Sequence, residues 1–241
     1  MEEDIGDIFN KKTILVRNDV KLRDLDWTIK PETYKTYKEK PKLKLPSPIF
    51  IDSPSIWEII SKRRSRRNFT PNKISIENIS LLLWATQGIT SFLEGYGLRT
   101  APSAGALYPI ETYLIVNRAL EIEPGIYHYY IPLHSLELIE SGNFEKNISN
   151  ASLNQTIAET ADLVFTWTAR IERSKWKYLQ RSYRYVYIEA GHISQNLALA
   201  AESLSLGCCN IGAFYDEEIN HILGIDGKKE FIIYMACVGS V

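Results

Sequence analysis

The feature that most constrains the fold is a long amphipathic segment, YIEAGHISQNLALAAESLSLG, which runs from Tyr187 to Gly207. Its apolar residues recur at spacings of three and four, which predicts a helix with one broad buried stripe. This stripe comprises Ile193, Leu197, Ala200, Ala201 and Leu204. Gly207 predicts the end of the helix, which is the longest that the sequence indicates.

Apolar segments elsewhere predict a sheet for this helix to pack against. Buried strands are predicted for ETYLIVN (111–117), ADLVFTWTAR (161–170) and FIIYMACVG (231–239), and a hairpin with a break at Pro132 is predicted for GIYHYYIPLHSLELIESG (125–142). Shorter helices are expected after the capping residues Ser55 and Ser75, the second ending at Gly88, and over 151–161 and 216–223. Because helices and strands are mixed without a regular βαβ alternation, we predict an α+β sheet flanked by helices.

Residues 1–50 differ in character from the rest of the chain. They are rich in Lys, Asp and Pro and end in EKPKLKLPSPIF, which is typical of an extended or partly helical arm. We therefore predict an arm over 1–50 and one folded domain over 51–241. No apolar run approaches the roughly 18–20 residues of a membrane-spanning helix. The start MEEDIGDIFNKK is acidic where a secretory signal is basic and then apolar, so a cytoplasmic protein without a membrane partner is expected.

The three cysteines carry no metal-binding or disulfide pattern. Cys208 and Cys209 are adjacent, Cys237 is distant, and no C-x-x-C or zinc-ligand spacing occurs. We expect buried or partly buried free thiols and no metal site.

The stretch SKRRSRRNF, residues 61–69, concentrates five cationic side chains on a chain whose net charge is only -1. In an extended segment, residues two apart point the same way, so Arg63, Ser65 and Arg67 would present two guanidinium groups and a hydroxyl to one point. Forked Arg donors match the oxygens of a phosphate dianion. A solvated helix end and a nucleic-acid surface are the alternatives. Nucleic acid is disfavoured because such a surface needs dispersed cations and a basic balance.

Two stretches of small residues offer room for a flat ring or a phosphate near the backbone. Pro102, Ser103, Ala104 and Gly105 lead into the first apolar strand, and CNIGAF, residues 209–214, follows the long helix. A simple turn explains each stretch equally well. Neither G-x-G-x-x-G nor G-x-x-x-x-G-K-S/T is present, which argues against a Rossmann domain and a P-loop.

Taken in order, the motifs SKRRSRRNF, LLLWATQGIT, RTAPSAGALYPIETYLIV, GIYHYY, YRYVYIEAGHISQNLALAAESLSLG, IGAF and IYMACVG resemble the nitroreductase superfamily. They are most similar to its SagB/McbC-type branch, FMN-dependent dehydrogenases that oxidise azoline rings in peptides. The resemblance covers residues 45–241. It implies a nitroreductase-like fold with a mainly antiparallel central sheet, and a homodimer that binds FMN at the subunit interface beside the long helix. The arm over 1–50 is then expected to wrap the partner subunit.

The resemblance also implies roles for individual residues. The FMN phosphate and ribityl chain are assigned to Arg63, Arg64, Ser65 and Arg67, the isoalloxazine ring to Pro102, Ser103, Ala104 and Gly105, and backbone contacts near the reactive flavin nitrogen to Ile211, Gly212 and Ala213. Where many nitroreductases have Asn in this loop, the chain has Ala106. A Lys-Tyr pair is implicated in azoline oxidation by this branch, and Lys177 and Tyr178 stand at the matching place.

The leading functional hypothesis is therefore an FMN-dependent oxidoreductase that dehydrogenates azoline heterocycles in peptides, acting with biosynthetic partner enzymes. One alternative is an NAD(P)H-dependent nitro or quinone reductase. It would use the same flavin site, but electrons would pass from NAD(P)H through the flavin to the substrate. Another is a non-catalytic flavin-binding subunit of a biosynthetic complex. For Lys177 and Tyr178, the alternative is that both are surface residues of a Tyr-rich segment with no catalytic role.

Overall fold

The structure, a computed structural model, describes residues 4–17, 24–49 and 53–241. The α-helices within these ranges are α1 Ile5–Lys12, α2 Ile56–Lys62, α3 Ile76–Gln87, α4 Glu145–Ala151, α5 Thr156–Thr160, α6 Ile171–Tyr178, α7 Ser182–Ser203 and α8 Asp216–Ile222. None of them is both long and apolar enough to cross a membrane.

The strands are β1 Lys42–Lys44, β2 Ile89–Leu93, β3 Tyr96–Arg99, β4 Ile110–Val116, β5 Gly125–Tyr130, β6 Ser135–Ser141, β7 Leu163–Arg170, β8 Leu206–Ile211 and β9 Glu230–Ser240. Seven of them form one antiparallel sheet in the order β1-β6-β5-β4-β7-β9-β8, and β2 and β3 form a separate hairpin. The predicted α+β fold with a mainly antiparallel central sheet is confirmed.

Helices cover both faces of the sheet. Successive strand residues point to opposite faces, and the apolar residues on each face are buried by helices. Leu114 on β4 packs in a cluster with α3 and α7, whereas the adjacent Tyr113 and Ile115 belong to a second cluster with α4, α5 and α8. In both clusters, buried strand residues pack against buried helix residues. The 22-residue helix α7 crosses the first face and contacts α3 and β8.

Local signals predicted two helix starts correctly. Ser55 accepts a hydrogen bond from the Glu58 N–H at the start of α2, and Ser75 accepts one from the Asn78 N–H at the start of α3. Gly88 follows the last residue of α3, as expected. The predicted hairpin over 125–142 and the strands β4, β7 and β9 are also present.

The predicted end of the long helix at Gly207 is wrong. Helix α7 begins at Ser182 and ends at Ser203, and Gly207 lies within β8. Ser205 takes the left-handed conformation after the helix, with φ 58°, where a glycine was expected. The helix expected over 151–161 is only partly present. Helix α4 ends at Ala151, a turn in which Leu153 and Asn154 have positive φ follows, and only α5, Thr156–Thr160, is helical in the rest of the range.

The described parts of the arm pack against their own chain. Lys35 pairs with Glu230 on β9 at 2.7 Å, and the backbone N–H of Tyr37 donates to Glu137 on β6 at 3.0 Å. Near the start of the chain, Arg184 on α7 donates to Thr13 at 2.6 Å. The domain boundary at residues 50–51 falls outside the described residues, and the wrapping of a partner subunit stays a prediction.

All three cysteines are buried free thiols, as expected. Burial raises the pKa of Cys208 to about 12. Cys208 is therefore a neutral thiol at physiological pH and is not poised as a nucleophile.

Candidate functional site

The basic run leaves helix α2 as an extended segment along the edge of the sheet. Arg63 caps the helix, and Ser65 forms a parallel bridge with Cys208 on β8. The Arg66 N–H donates to the Cys208 carbonyl at 3.0 Å. The sequence places the run after a helix end, and the sheet edge holds it extended, which is the geometry that an alternating arrangement of side chains needs.

The cations of this segment separate into two groups. Lys62 pairs with Glu58 at 2.6 Å, and Arg66 pairs with Glu202 on α7 at 3.6 Å. Arg63, Arg64 and Arg67 form no salt bridge with any residue that the structure describes, and Arg64 and Arg67 are exposed. Arg64 Nη1 donates to the carbonyls of Ser61 and Arg63, and Arg67 Nη1 donates to that of Ser65 at 3.5 Å. The remaining guanidinium N–H groups and the Ser65 hydroxyl form a donor set that fits a phosphate.

The loop over residues 102–105 has an unusual backbone. Gly105, Ala106 and Tyr108 all have positive φ, at 65°, 52° and 46°. The Ser103 hydroxyl accepts a hydrogen bond from the Tyr108 N–H at 2.9 Å, and Arg173 on α6 donates to the Tyr108 carbonyl at 3.1 Å. These contacts hold the loop in a conformation that few residues other than glycine adopt easily.

Lys177 and Tyr178, at the end of α6, lie against this loop. A Cβ placed on Gly105 would stand 2.6 Å from the Tyr178 hydroxyl, which is closer than Cβ atoms come to other groups, and 3.2 Å from Lys177 Nζ. Tyr178 packs edge-on against Tyr185, with ring centroids 4.9 Å apart, and Lys177 Nζ lies 5.5 Å from the Tyr178 ring centroid. The structure thus brings together two predicted groups that are about 70 residues apart in the sequence.

The third predicted group lies at the C-terminal end of β8. Ile211 is buried, whereas Gly212 and Ala213 are exposed. A Cβ on Gly212 would meet only the ring edge of Tyr234, at 3.8 Å, so the backbone here is open to a ligand. Residues 211–213 lie at the end of β8, and the basic segment runs alongside the same strand.

Within one chain the predicted groups form two sets. The basic segment and residues 211–213 lie along β8, whereas residues 102–105 with Lys177 and Tyr178 lie beside the start of β4. The sheet order places β7 and β9 between β4 and β8. At about 4.8 Å per strand, the two strands are roughly 14 Å apart.

A buried charged network, which the sequence analysis missed, lies behind the loop. His128 on β5 contacts Glu137 on β6 at 2.9 Å and Glu111 on β4 at 3.1 Å, and Arg173 contacts the other Glu111 oxygen at 2.6 Å. All four side chains are buried. Burial alone would lower the pKa of His128, but its hydrogen bonds to the two carboxylates outweigh burial and raise it. A charged residue inside a predicted buried strand, such as Glu111 in ETYLIVN, was the available signal.

Glu189, on the inner face of α7, is a second group that the sequence analysis missed. It is only 3% exposed and hydrogen-bonds to Ser103 of the loop, and its Oε1 has no hydrogen-bond partner among the described residues. Burial raises the pKa of Glu189 to about 7, although Ser103, Arg99 and Arg173 act against this shift. Glu189 therefore titrates near neutral pH directly behind the loop.

Solved structures identify the class of fold. A crystal structure of a protein from Anabaena variabilis, provisionally named a nitroreductase, superimposes with a TM-score of 0.81 at 26% identity, over 98% of this chain and 46% of that one. The Escherichia coli microcin synthetase McbBCD complex, with truncated pro-MccB17 bound, matches with a TM-score of 0.66 at 24% identity, over 97% and 86%. A Desulfovibrio desulfuricans protein solved in complex with FMN, also provisionally named a nitroreductase, gives 0.54 at 19% identity, over 78% and 87%. The chain has the nitroreductase fold.

The sequence comparisons then identify the family. The model of the nitroreductase family matches residues 60–240, and the chain belongs to this family. The chain is 36% identical to a Methanocaldococcus jannaschii protein provisionally named a nitroreductase, over 78% of this chain and 92% of that protein. It is 34% identical to the trifolitoxin-processing protein TfxB of Rhizobium leguminosarum bv. trifolii, over 65% and 44%. It is 30% identical to the microcin B17-processing protein McbC of E. coli, over 70% and 64%. The resemblance to the SagB/McbC-type branch is confirmed, and the chain spans less than two thirds of TfxB and of McbC.

Proposed function

We propose that the protein is an FMN-dependent oxidoreductase that dehydrogenates azoline rings in peptides to azoles. The observation that carries this proposal is the contact of Lys177 and Tyr178 with Gly105, in a chain homologous to McbC and TfxB. Two relatives named for the processing of microcin B17 and trifolitoxin support a peptide as the substrate class. We also propose that the protein acts in the cytoplasm on rings formed by a partner enzyme.

The residues present fit FMN. Arg63, Arg64 and Arg67, which have no carboxylate partners among the described residues, would hold the phosphate together with the Ser65 hydroxyl. The small residues Pro102–Gly105 would line the ring system, and the open backbone at residues 211–213 would contact its edge. Because the family resemblance implies a dimer with FMN at its interface, we propose that two protomers combine to complete each FMN site. Within one chain, the strands that carry the two sets are roughly 14 Å apart.

Oxidation of an azoline removes one hydrogen from each of two ring atoms, one as a proton and one with its electron pair. Bound FMN would supply the acceptor for the hydride. The protein must accept the proton, and Lys177 Nζ and the Tyr178 hydroxyl lie together beside the loop that we assign to the ring system. We propose Lys177 as the base, with Tyr178 orienting it and donating to the substrate.

The test is to purify the protein, identify its chromophore and incubate it with a synthetic peptide that contains one thiazoline ring, with oxygen as the acceptor. The expected products are a thiazole peptide lighter by two hydrogen atoms and stoichiometric yellow FMN. Lys177→Ala should lower the oxidation rate by about 10²-fold or more without loss of FMN, as expected for removal of a general base.

Lys175→Ala is the matched control on the same helix, since Lys175 pairs with Glu172 at 3.6 Å and does not contact Gly105. This variant should oxidise the peptide at the wild-type rate. A protein that cannot be loaded with FMN would refute the cofactor assignment. A loaded protein that oxidises the peptide equally well without Lys177 would refute the assigned base.

The second candidate function is an NAD(P)H-dependent reductase of nitro compounds or quinones, with NAD(P)H as the electron donor. It is favoured by the similarity to the M. jannaschii protein, of which the chain covers 92%. Rapid bleaching of the bound flavin by NADPH, followed by reoxidation with a quinone, would support it. If no donor or acceptor changes the flavin, the protein is a non-catalytic flavin-binding subunit.

A further inference from the structure

A cavity of about 220 Å³ adjoins the loop and the Lys-Tyr pair. Gly105, Ala106 and Lys177 line it from the loop and from α6. Other lining residues come from the arm, through Leu25 and Trp27, and from the hairpin β2–β3. The cavity therefore connects the arm with the residues to which we assign catalysis.

The arm wall is fixed by specific contacts. Trp27 packs edge-on against Trp176 of α6, with ring centroids 5.1 Å apart, and the Trp176 indole N–H donates to the Asp26 carbonyl at 2.8 Å. The ammonium group of Lys30 lies 4.5 Å from the Tyr96 ring centroid and 5.3 Å from that of Trp27. These contacts join the arm to α6 and to the hairpin, although Trp27 remains 63% exposed.

The lining indicates the chemistry of an occupant. Leu25, Trp27, Tyr96 and Trp176 provide apolar and aromatic surface, Lys30 and Lys177 provide hydrogen-bond donors, and Glu94 provides one acceptor. This combination suits a planar, neutral ring whose neighbouring carbonyl groups accept hydrogen bonds. An azoline ring flanked by peptide groups has this character.

The size of the cavity limits the occupant to one ring. A cavity of roughly 150 Å³ holds a benzene molecule, and pockets for drug-sized ligands begin at roughly 300 Å³. At about 220 Å³, the cavity has room for a single substituted ring but not for a folded peptide. The rest of a peptide would lie outside it.

The wall that the arm provides lies outside the segment that the family model describes. The nitroreductase family model matches residues 60–240, whereas Leu25, Trp27 and Lys30 precede it. The loop and α6, which carry the proposed chemistry, lie inside this segment. The arm can therefore vary without a change in the segment that carries the chemistry.

The geometry points to this cavity as the substrate-binding pocket, in which arm residues Leu25–Lys30 select a single five-membered azoline ring of a peptide. The inference rests on the proposed function and adds to it the residues that determine specificity. Binding can be measured separately from oxidation. The thiazole product keeps the ring and its neighbouring carbonyl groups, and the enzyme does not oxidise it further.

The experiment measures the affinity of FMN-loaded protein for a short peptide with one thiazole ring, by calorimetry. Trp27→Ala should weaken binding by roughly threefold to tenfold, the loss expected for one aromatic contact. Leu25→Trp, which fills the cavity from the arm side, should weaken binding at least as much. The control Trp57→Ala removes a tryptophan on α2 that is 78% exposed and does not line the cavity, and it should change nothing. FMN content should be equal in all variants.

The outcomes distinguish this inference from the proposed function. If the wild-type protein neither binds the thiazole peptide nor oxidises the thiazoline peptide, the proposed function fails and the pocket assignment fails with it. If the wild-type protein does both and the two arm variants match it, the pocket assignment alone is overturned. If the two arm variants bind NADH more weakly than the wild-type protein but bind the peptide equally well, the pocket assignment is also overturned. The cavity would then be assigned to a nicotinamide ring.

Discussion

At the scale of single residues, neighbouring arginines of one segment have different surroundings. Arg66 is paired with Glu202 and contributes to the packing of the segment on α7, whereas Arg67 has no such partner among the described residues. This difference follows from the alternation of an extended chain held against β8, and it makes Arg66 an internal control for Arg67.

We predict that Arg67→Ala lowers the affinity for FMN by about 1.5–3 kcal/mol, the range for hydrogen bonds to charged groups. Arg66→Ala should leave this affinity unchanged, because Arg66 is already engaged by Glu202. Titration of the apoprotein with FMN, followed by quenching of flavin fluorescence, measures both. Equal losses in the two variants would indicate a nonspecific effect of positive charge and contradict the assignment of Arg67 to the phosphate.

Glu189 gives a prediction about pH. Its folded-state pKa of about 7 lies above its ordinary value of 4.5, so the folded protein binds more protons than the unfolded chain between these values. Glu189 therefore makes stability fall as pH rises from about 4.5 to about 7. Glu189→Gln keeps the shape and a hydrogen-bonding group but does not titrate. The melting temperature of the wild type, relative to that of this variant, should decrease between pH 5 and pH 8.

The comparison with the variant cancels the contributions of other titrating groups to the pH dependence, because both proteins contain those groups. A difference in melting temperature that stays constant over this pH range would show that Glu189 is ionised throughout. In that case its contact with Ser103 is a permanent hydrogen bond to a carboxylate.

At the scale of elements, the buried network joins three strands and the arm. His128 links β5 to β4 through Glu111 and to β6 through Glu137, and Glu137 also accepts hydrogen bonds from Thr36 and Tyr37 of the arm. The arm is therefore held to the sheet by charge as well as by the pairing of β1 with β6.

We predict that His128→Phe lowers the free energy of unfolding by about 3–5 kcal/mol, because it leaves two buried carboxylates without their shared partner. His221→Phe, at an exposed position on α8, should change it by less than about 0.5 kcal/mol. Urea unfolding monitored by circular dichroism gives both values. A small loss for His128→Phe would mean that the carboxylates take up protons or water without cost.

Elements with local end signals could be predicted from the sequence, and those defined by long-range pairing could not. Ser55 and Ser75 form side-chain caps within one helical turn. The residues next to each helix start are therefore sufficient to predict where α2 and α3 begin. Strand β8 follows α7 after only two residues and contains Gly207 and two cysteines, and it exists through its pairing with β9. In the candidate site, the basic segment was apparent as a cluster, whereas the network behind the loop joins residues from four separate elements.

At the scale of the whole molecule, helix α7 leaves part of one face exposed to solvent. Tyr187 and Ile188 on this face are 52% and 56% exposed, and the next turn exposes Gly191 and His192. The proposed homodimer would bury this face. It would also bring the β4 set of one protomer toward the β8 set of the other.

If the proposed homodimer forms through this face, Ile188→Arg should make the protein monomeric and lower its FMN content at the same time, because a charge would be buried at the interface. Leu120→Arg, at a position that is 60% exposed outside α7, should leave both properties unchanged. Light scattering and the ratio of flavin to protein absorbance measure the two effects. A monomer that retains full FMN would show that one chain completes the site.

The burial of every cysteine has a practical consequence for spectroscopy. Since Cys208, Cys209 and Cys237 are all inaccessible, a thiol reagent should leave the folded protein unmodified. A cysteine introduced at Thr28, on the arm beside the cavity, would then accept a single spin label or fluorophore without prior removal of the native thiols. Distances between two such labels in a dimer would report directly whether each arm stays on its own protomer or crosses to the other.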